Sequence, residues 1–231
     1  MRHFYEAIIG DGLMELSEES AKHIVRVLRM QVGDEFILTD GKGVKATARI
    51  KATSKKSCTV EIVERVDVKD ENRKITLAIS FTKNSARMEW LLEKITEIGV
   101  SEIIPLVSKR SERSKIKQER FEKILVSAML QSQQYHLPVL HEPASFEEIL
   151  KIEAGKKLIA HCEQDFDKQG VNNSTNVNST IILIGPEGDF TTDEIERALQ
   201  QNFKSVRLGN NRLRTETAGL VAVTLLQHAK A

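Results

Sequence analysis

Apolar residues follow two different rhythms along this chain. Over the first 70 positions they come in short runs broken by turn residues. Ser17-Glu18-Glu19-Ser20 has the form of a helix start. Behind it, Ile24, Val25, Val27 and Leu28 give an apolar face, and His23, Arg26 and Arg29 a basic one. Gly33-Asp34 predicts a turn and Glu35 to Thr39 a strand. Asp40-Gly41-Lys42-Gly43 predicts a hairpin, because glycine reaches positive φ at little cost. Val44 to Ile50 and Ser57 to Val63 continue as short strands of a small barrel-like sheet. The charged stretch 67–74 sets a boundary between domains at 1–70 and 74–231.

From Ile75 the rhythm changes to buried-strand runs alternating with helical spacing. The predicted strands are Ile75 to Ser80, Ile103 to Val107, Lys157 to Ala160, Thr180 to Ile184 and Ser205 to Leu208. The predicted helices are Ala86 to Ile98 with Gly99 as its cap, Glu119 to Gln133, Thr192 to Gln201 capped by Thr191 or Thr192, and Thr217 to Ala229. Strands followed by helices imply an α/β domain, its parallel sheet covered by helices on both faces. Gly170 to Ser179, rich in Asn, Ser, Thr and Val, reads as a mobile surface loop.

Composition narrows the function classes. With 34 basic and 33 acidic residues the net charge is +1, so any nucleic-acid surface must come from local clustering. The two cysteines, Cys58 and Cys162, have no CxxC spacing, which fits a reducing cytoplasm and no cysteine-rich zinc site. His3, His136, His141, His161 and His228 show no metal-ligand spacing; they read as structural or exposed. His161 ends a strand on the ligand side and is a candidate lining residue. Trp90, among apolar helix neighbours, reads as core or dimer contact. Met1-Arg2-His3-Phe4-Tyr5-Glu6 reaches acid and glycine before a signal-like apolar run forms, and no stretch approaches the roughly 20 apolar residues of a membrane helix. The expectation is a soluble, cytoplasmic protein.

Two loops, each directly after a strand, carry the candidate chemistry. Ligands of open α/β sheets sit beyond the carboxyl ends of the strands. The first loop is Ile184-Gly185-Pro186-Glu187-Gly188-Asp189-Phe190: glycines admit close backbone approach, Pro186 stiffens the turn, and Glu187 can accept hydrogen bonds. Its plain alternative is a tight strand-to-helix turn. The second runs from Leu208-Gly209-Asn210-Asn211 through Arg212-Leu213-Arg214-Thr215-Glu216 into a helix near Thr217, which Thr215 or Glu216 can cap. Here the plain alternative is a local Arg214–Glu216 ion pair.

Taken together, "LIGPEG" followed by "LG…LRTETA" resembles the bacterial ribosomal RNA small subunit methyltransferase E family, the 16S rRNA 3-methyluridine enzymes of the SPOUT superfamily. His23 to Arg29 with Gly33-Asp34 and Asp40 to Gly43 looks like that family's PUA-like N-terminal domain. Glu93 to Val100, Ile104-Pro105 and Lys109-Arg110-Ser111 look like the start of its catalytic domain. The resemblance covers nearly the whole length. It implies a C-terminal trefoil knot, a homodimer, and S-adenosyl-L-methionine bound between the two loops. The matching positions are Ile184, Gly185, Pro186, Glu187 and Gly188, then Leu208, Gly209, Leu213, Arg214, Thr215, Glu216, Thr217 and Ala218, with Leu183 preceding them. Three places depart from the family pattern: Asp189 stands where a second glycine is usual, Asn210-Asn211 where Pro-Arg is usual, and Leu130-Gln131-Ser132-Gln133-Gln134 where an EQxxR run is usual.

The implied reaction methylates uridine N3 in the RNA of the small ribosomal subunit. A sulfonium methyl is already electrophilic, so the chemistry requires no metal, but neutral N3 is a poor nucleophile and loses a proton. Arg212 or Arg214 can stabilise charge developing on the uracil oxygens. Glu216 is a conceivable base, made less basic if paired with an arginine; the assignment made here is Arg214 electrostatic and Glu216 structural. For RNA contact, Lys109, Arg110, Arg113, Lys115 and Lys117 lie within nine residues, opposed only by Glu112. His23, Arg26 and Arg29 form a second candidate cluster, Arg26 and Arg29 sharing a helix face. A nucleotide-binding protein lacks support, having neither GxGxxG nor GxxxxGK[ST]. The remaining alternatives are a SPOUT enzyme acting on another RNA and a non-catalytic RNA-binding module.

Overall fold

The computed structural model describes residues 1–71, 73–112, 116–164, 166–171 and 179–228. The chain divides into two compact units, residues 1–71 with 126–137, and residues 72–125 with 138–231.

The first unit is built on strands β1 (His3–Tyr5), β2 (Leu13–Glu15), β3 (Glu35–Thr39), β4 (Val44–Thr53) and β5 (Cys58–Asp67), with helix α1 (Glu18–Lys22) between β2 and β3. They form a five-stranded sheet in the order β1-β3-β4-β5-β2, antiparallel except for the β1–β3 pair. Phe4, Ile24, Phe36, Leu38, Ile50 and Val60 fill its core. Ser17 caps α1, its hydroxyl accepting the Ser20 amide hydrogen. The hairpin forms where the glycines predict it: Gly41 and Gly43 have φ of 70° and 106°, and Asp40 Oδ1 accepts the amides of Lys42 and Val44. Strands β4 and β5 are ten residues each, longer than the sequence pattern suggests, because cross-strand pairing continues past the last buried position. The basic helix face is not as expected. After α1 the backbone widens into a π-helical turn at His23–Val27, and Arg29 lies beyond it at φ 54°. Arg26 and Arg29 therefore share no helix face, and Val27 is turned outward, 68% exposed.

The second unit runs β6 (Lys74–Ile79), α2 (Ser85–Ile98), β7 (Glu102–Val107), α3 (Gln118–Gln131, whose last residues belong to the first unit), β8 (Val139–Leu140), β9 (Ala144–Ser145), α4 (Phe146–Leu150), β10 (Lys156–Ala160), β11 (Gln169–Gly170), β12 (Ser179–Ile184), α5 (Thr192–Gln200), β13 (Lys204–Arg207) and α6 (Thr215–Gln227). Its sheet is parallel throughout, in the order β11-β13-β10-β12-β6-β7-β8, with β9 also on β7. Strand β12 lies between β10 and β6, which is why Ile181, Ile182, Leu183 and Ile184 are all buried. Each such side chain contributes roughly 1.5–3 kcal/mol of transfer free energy. Helix α2 is capped by Asn84 and ends on Gly99 at φ 102°; α5 is capped by the Thr191–Glu194 box.

The differences from the sequence reading are specific. Helix α6 begins at Thr215 rather than Thr217; its N-cap is Arg214, and no side chain bonds there. Trp90 is 42% exposed on α2 and is not core. Of the loop expected over 170–179, Gly170 joins Gln169 in an edge strand and Ser179 opens β12, while residues 172–178, and Ala229, lie outside the described residues. Among the described residues no helix is long and apolar enough to cross a membrane.

Candidate functional site

Because every strand of the second sheet runs the same way, their carboxyl ends share one edge, and the loops leaving β10, β12 and β13 meet there. They enclose a cleft of about 1080 Å³. Eleven of the cofactor-binding and catalytic candidates line it: Ile184, Gly185, Pro186, Glu187, Leu208, Gly209, Arg212, Leu213, Arg214, Thr215 and Ala218; so do Asp189, Asn210 and Asn211, where the loops depart from the family pattern. The joint between the loops is buried: Thr215 Oγ1 donates to the Gly185 carbonyl at 3.2 Å. Farther out, Arg212 Nη2 donates to the Glu187 carbonyl at 3.4 Å. Space at Gly185 is tight: a Cβ there would lie 3.2 Å from the Phe190 ring, which would have to give by a few tenths of an ångström.

Four residues of the sequence-derived set lie outside the lining. Leu183 is sealed in the sheet core. Gly188 faces away, with the stem of Arg110 behind it. Thr217 lies within α6, and Glu216 is buried and turned toward α2, where Arg87 Nε approaches its Oε1 at 3.5 Å. The local Arg214–Glu216 pair is thus not formed, since the first helical turn points the two side chains apart. Arg214 is exposed and lines the cleft.

The backbone of the β12 loop is held by its neighbours, both along the cleft wall and from behind it. Asp189 adopts φ 62°, a conformation natural to glycine and tolerated by aspartate. Its Oδ2 accepts the Cys162 amide hydrogen at 2.7 Å and its Oδ1 the Phe190 amide at 2.8 Å. Arg110 Nη1 donates to the carbonyls of Gly188 at 2.7 Å and Phe190 at 3.4 Å. The Glu194 carboxylate, buried at the start of α5, accepts the Lys109 amide at 2.8 Å and closes the cap with Thr191.

The loop after β10 adds residues that no motif marked. His161 lines the cleft, with one ring nitrogen 2.8 Å from Ser205 Oγ and its Nδ1 buried with no hydrogen-bond partner. Burial, then the nearby Lys168, push its pKa down to about 4 against an opposing pull from Asp189, so the ring is neutral at physiological pH. Cys162, Asp167 and Lys168 line the same wall. Burial and the Asp189 carboxylate push the Cys162 thiol up, away from thiolate chemistry. His161 lines the cleft as its strand-end position in the sequence suggested, whereas Cys162, Asp167 and Lys168 carried no such signal.

The RNA-contact candidates divide. Lys109 and Arg110 are both exposed, Arg110 also donating to the β12 loop; Arg113 and Lys115 lie outside the described residues. In the first unit His23, Arg26 and Arg29 are exposed, with Arg26 Nε on the Lys55 carbonyl at 3.2 Å and the His23 ring edge-on to Phe4. Among the described residues no group of three or more acids, histidines or cysteines is arranged to hold a metal ion.

Comparisons with known proteins place the chain in a family. Residues 69–227 match the RNA methyltransferase domain family, and residues 16–63 match the RNA methyltransferase PUA domain. The chain is 30% identical to the ribosomal RNA small subunit methyltransferase E of Bacillus subtilis, over 92% of this chain and 89% of that one. Among solved structures, a probable rRNA-methyltransferase from Porphyromonas gingivalis superposes with a TM-score of 0.93 at 42% identity, covering 98% of both chains. The ribosomal RNA small subunit methyltransferase E of Neisseria gonorrhoeae, bound to S-adenosyl methionine, superposes with a TM-score of 0.84 at 30% identity, covering 98% of this chain and 97% of that one. Fold and site thus define an RNA methyltransferase with a PUA-like N-terminal domain. Within that class the chain belongs to the ribosomal RNA small subunit methyltransferase E family.

Proposed function

We propose that the protein methylates N3 of a uridine in 16S ribosomal RNA of the small subunit, in the cytoplasm, using S-adenosyl-L-methionine bound in the cleft. The observation that carries this reading is the Thr215–Gly185 hydrogen bond, which makes one pocket of two separately legible loops. The lining fits the donor. Leu208, Leu213 and Ile184 offer apolar wall, and the loop backbones offer donors and acceptors for a nucleoside. Glu187 and Asp189 would hold the donor's cationic groups, while His161, which also lines the cleft, is neutral. The amides of the first turn of α6 have no side-chain cap, so they remain available to a ligand.

When bound, the donor supplies an electrophilic methyl carbon. The protein's task is then to hold the uracil ring and favour loss of its N3 proton. Arg214, exposed at the cleft and without an ion-pair partner among the described residues, can stabilise negative charge spreading onto the uracil oxygens. Arg212, on the Glu187 carbonyl, is better placed to hold the loops together while keeping guanidinium donors for substrate. Glu216 is the poorer candidate for a base, being buried outside the cleft beside Arg87. Lys109 and the exposed cations of the first unit are the proposed RNA contacts.

A C-terminal trefoil knot and a homodimer belong to the same reading. In support, the chain leaves β13 and then packs α6 on α2 and on β6, three strands away across the sheet, while the exposed Trp90 on α2 offers a surface for a second copy. The decisive experiment is mass spectrometry of ribosomal and transfer RNA from a deletion strain, before and after complementation. Loss of 3-methyluridine from 16S rRNA is expected. A modification lost instead from transfer RNA or the large subunit would redirect the substrate, and no lost modification would refute the activity.

A further inference from the structure

We infer that Arg110 is a positioning residue for the methyl-donor loop, clamping residues 188–190 from behind so that their inner side keeps the shape that receives the donor. The inference rests on reading the cleft as a methyl-donor site. It takes Arg110 out of the phosphate-binding cluster that the sequence suggests.

Three observations carry it. First, Arg110 grips the side of the loop turned away from the cleft: Gly188 does not line the cleft, whereas its neighbours Glu187 and Asp189 do. Nη1 donates to both the Gly188 and Phe190 carbonyls, so one cationic group gathers two oxygens that otherwise repel each other. Second, the loop has little internal support. Within the loop, the Asp189 amide donates to the Pro186 carbonyl at 2.9 Å and the Phe190 amide to Asp189 Oδ1 at 2.8 Å; the other holds come from neighbours. Third, the clamp itself is fixed. Ser111 Oγ accepts the Ser108 amide at 2.9 Å and lies 3.0 Å from Ser108 Oγ and 3.2 Å from Ser80 Oγ, while the Lys109 amide is held by buried Glu194. The backbone on both sides of Arg110 is therefore pinned to the ends of β6 and β7. Arg110 Nη1 is engaged by two carbonyl oxygens although the side chain is exposed, and the salt dependence of RNA binding separates this clamp from a phosphate contact.

The test uses the purified full-length protein and its Arg110→Met, Arg110→Lys and Lys109→Ala variants. Methionine keeps an apolar stem without a donor. Calorimetry with S-adenosylmethionine, amide hydrogen exchange at residues 187–191, and the salt dependence of RNA binding are measured on each. For Arg110→Met the expected result is a donor Kd raised roughly tenfold, the worth of one charge-assisted hydrogen bond. Exchange in the loop should be faster, the RNA salt slope unchanged, and the Kd partly restored in Arg110→Lys. Lys109→Ala should show the reverse, a flatter salt slope with normal donor Kd. An unaltered donor Kd in Arg110→Met, or a salt slope reduced by about one, overturns the inference in favour of a phosphate contact. If the wild-type protein fails to bind the donor, the cleft reading itself falls. Faster exchange in Arg110→Met would then mark Arg110 as structural only, which also overturns the inference. Should Arg110→Met not fold, Arg110→Gln, with a shorter neutral donor, is measured against the same outcomes.

Discussion

Asp189 Oδ2 accepts the backbone amide hydrogen of Cys162 at 2.7 Å, joining the loop that follows β12 to the loop that follows β10. The same residue sits at φ 62°, where relatives of this family are expected to carry glycine. The apparent departure is thus a substitution that keeps the backbone shape and adds a tether across one wall of the cleft.

That double role ranks the variants at this position. Asp189→Asn keeps both the left-handed tolerance and an acceptor, and should be nearly silent. Asp189→Gly keeps the conformation and loses the tether. Asp189→Ala loses the tether and adds left-handed strain of about 1 kcal/mol, so it should melt lowest of the three. Thermal denaturation of the three variants checks the order; alanine melting above glycine would show that the φ value carries no strain.

Gly43 offers a sharper test of backbone geometry in the first unit. At φ 106° a side chain is already strained, and a Cβ would lie 2.8 Å from His136 Nε2 and 2.9 Å from the Val68 carbonyl oxygen. Its amide also donates to the Tyr135 carbonyl at 2.8 Å. Gly43→Ala should therefore lose more than about 2 kcal/mol, as strain and overpacking add. Gly10→Ala, where nothing lies within 4 Å and φ is not positive, should cost far less. Urea unfolding of the two variants makes the comparison.

The hairpin at Gly41 and Gly43 shows what local sequence can specify. Turn chemistry, strand runs and capping residues act over a few positions, so β3, α2, β12 and α5 were legible to within a residue or two. Elements made by tertiary pairing were not: β1 and β8 are too short to carry a period and exist because neighbours offer ladder bonds. Helix α4 did carry a local signal, the Ser145–Glu148 capping box, which went unread. The π-helical turn that separates Arg26 from Arg29 has no such signature. At the site the motif loops were legible because a ligand-gripping backbone needs glycine. The groups holding those loops in place were not, since Arg110 reaches Gly188 across 78 positions and nothing in either segment announces the pairing.

His161 makes stability depend on acid. Its folded pKa of about 4 lies below the ordinary 6.5, so the unfolded chain binds more protons between these values. Stability from this group is complete above pH 6.5 and is lost as pH falls toward 4, by on the order of 3 kcal/mol in all. Replacing it by glutamine, a neutral side chain that can still meet Ser205, should flatten this part of the pH–stability curve. Denaturant midpoints measured at intervals from pH 7 to pH 4 provide the check. A variant whose midpoint falls as steeply as the wild type's would assign the acid sensitivity to other groups.

Arg214 and Glu216 are two positions apart, yet the start of α6 sends them to opposite sides, one to the cleft and one to Arg87. Their removal should therefore separate in kinetics. Arg214→Ala should lower kcat by about 10²–10³, the usual cost of one preorganised donor at developing charge, with a smaller change in donor affinity. Glu216→Gln retains the shape and can still accept from Arg87, so kcat should fall no more than severalfold, with the loss appearing in melting temperature. If Glu216 were the base, the glutamine variant would instead lose the ascending limb of the pH–rate profile, because the group whose ionisation creates that limb is gone. Single-turnover methylation rates across pH, measured beside thermal melts of the same preparations, distinguish the two assignments. A Glu216→Gln rate as depressed as that of Arg214→Ala, at unchanged stability, would reverse them.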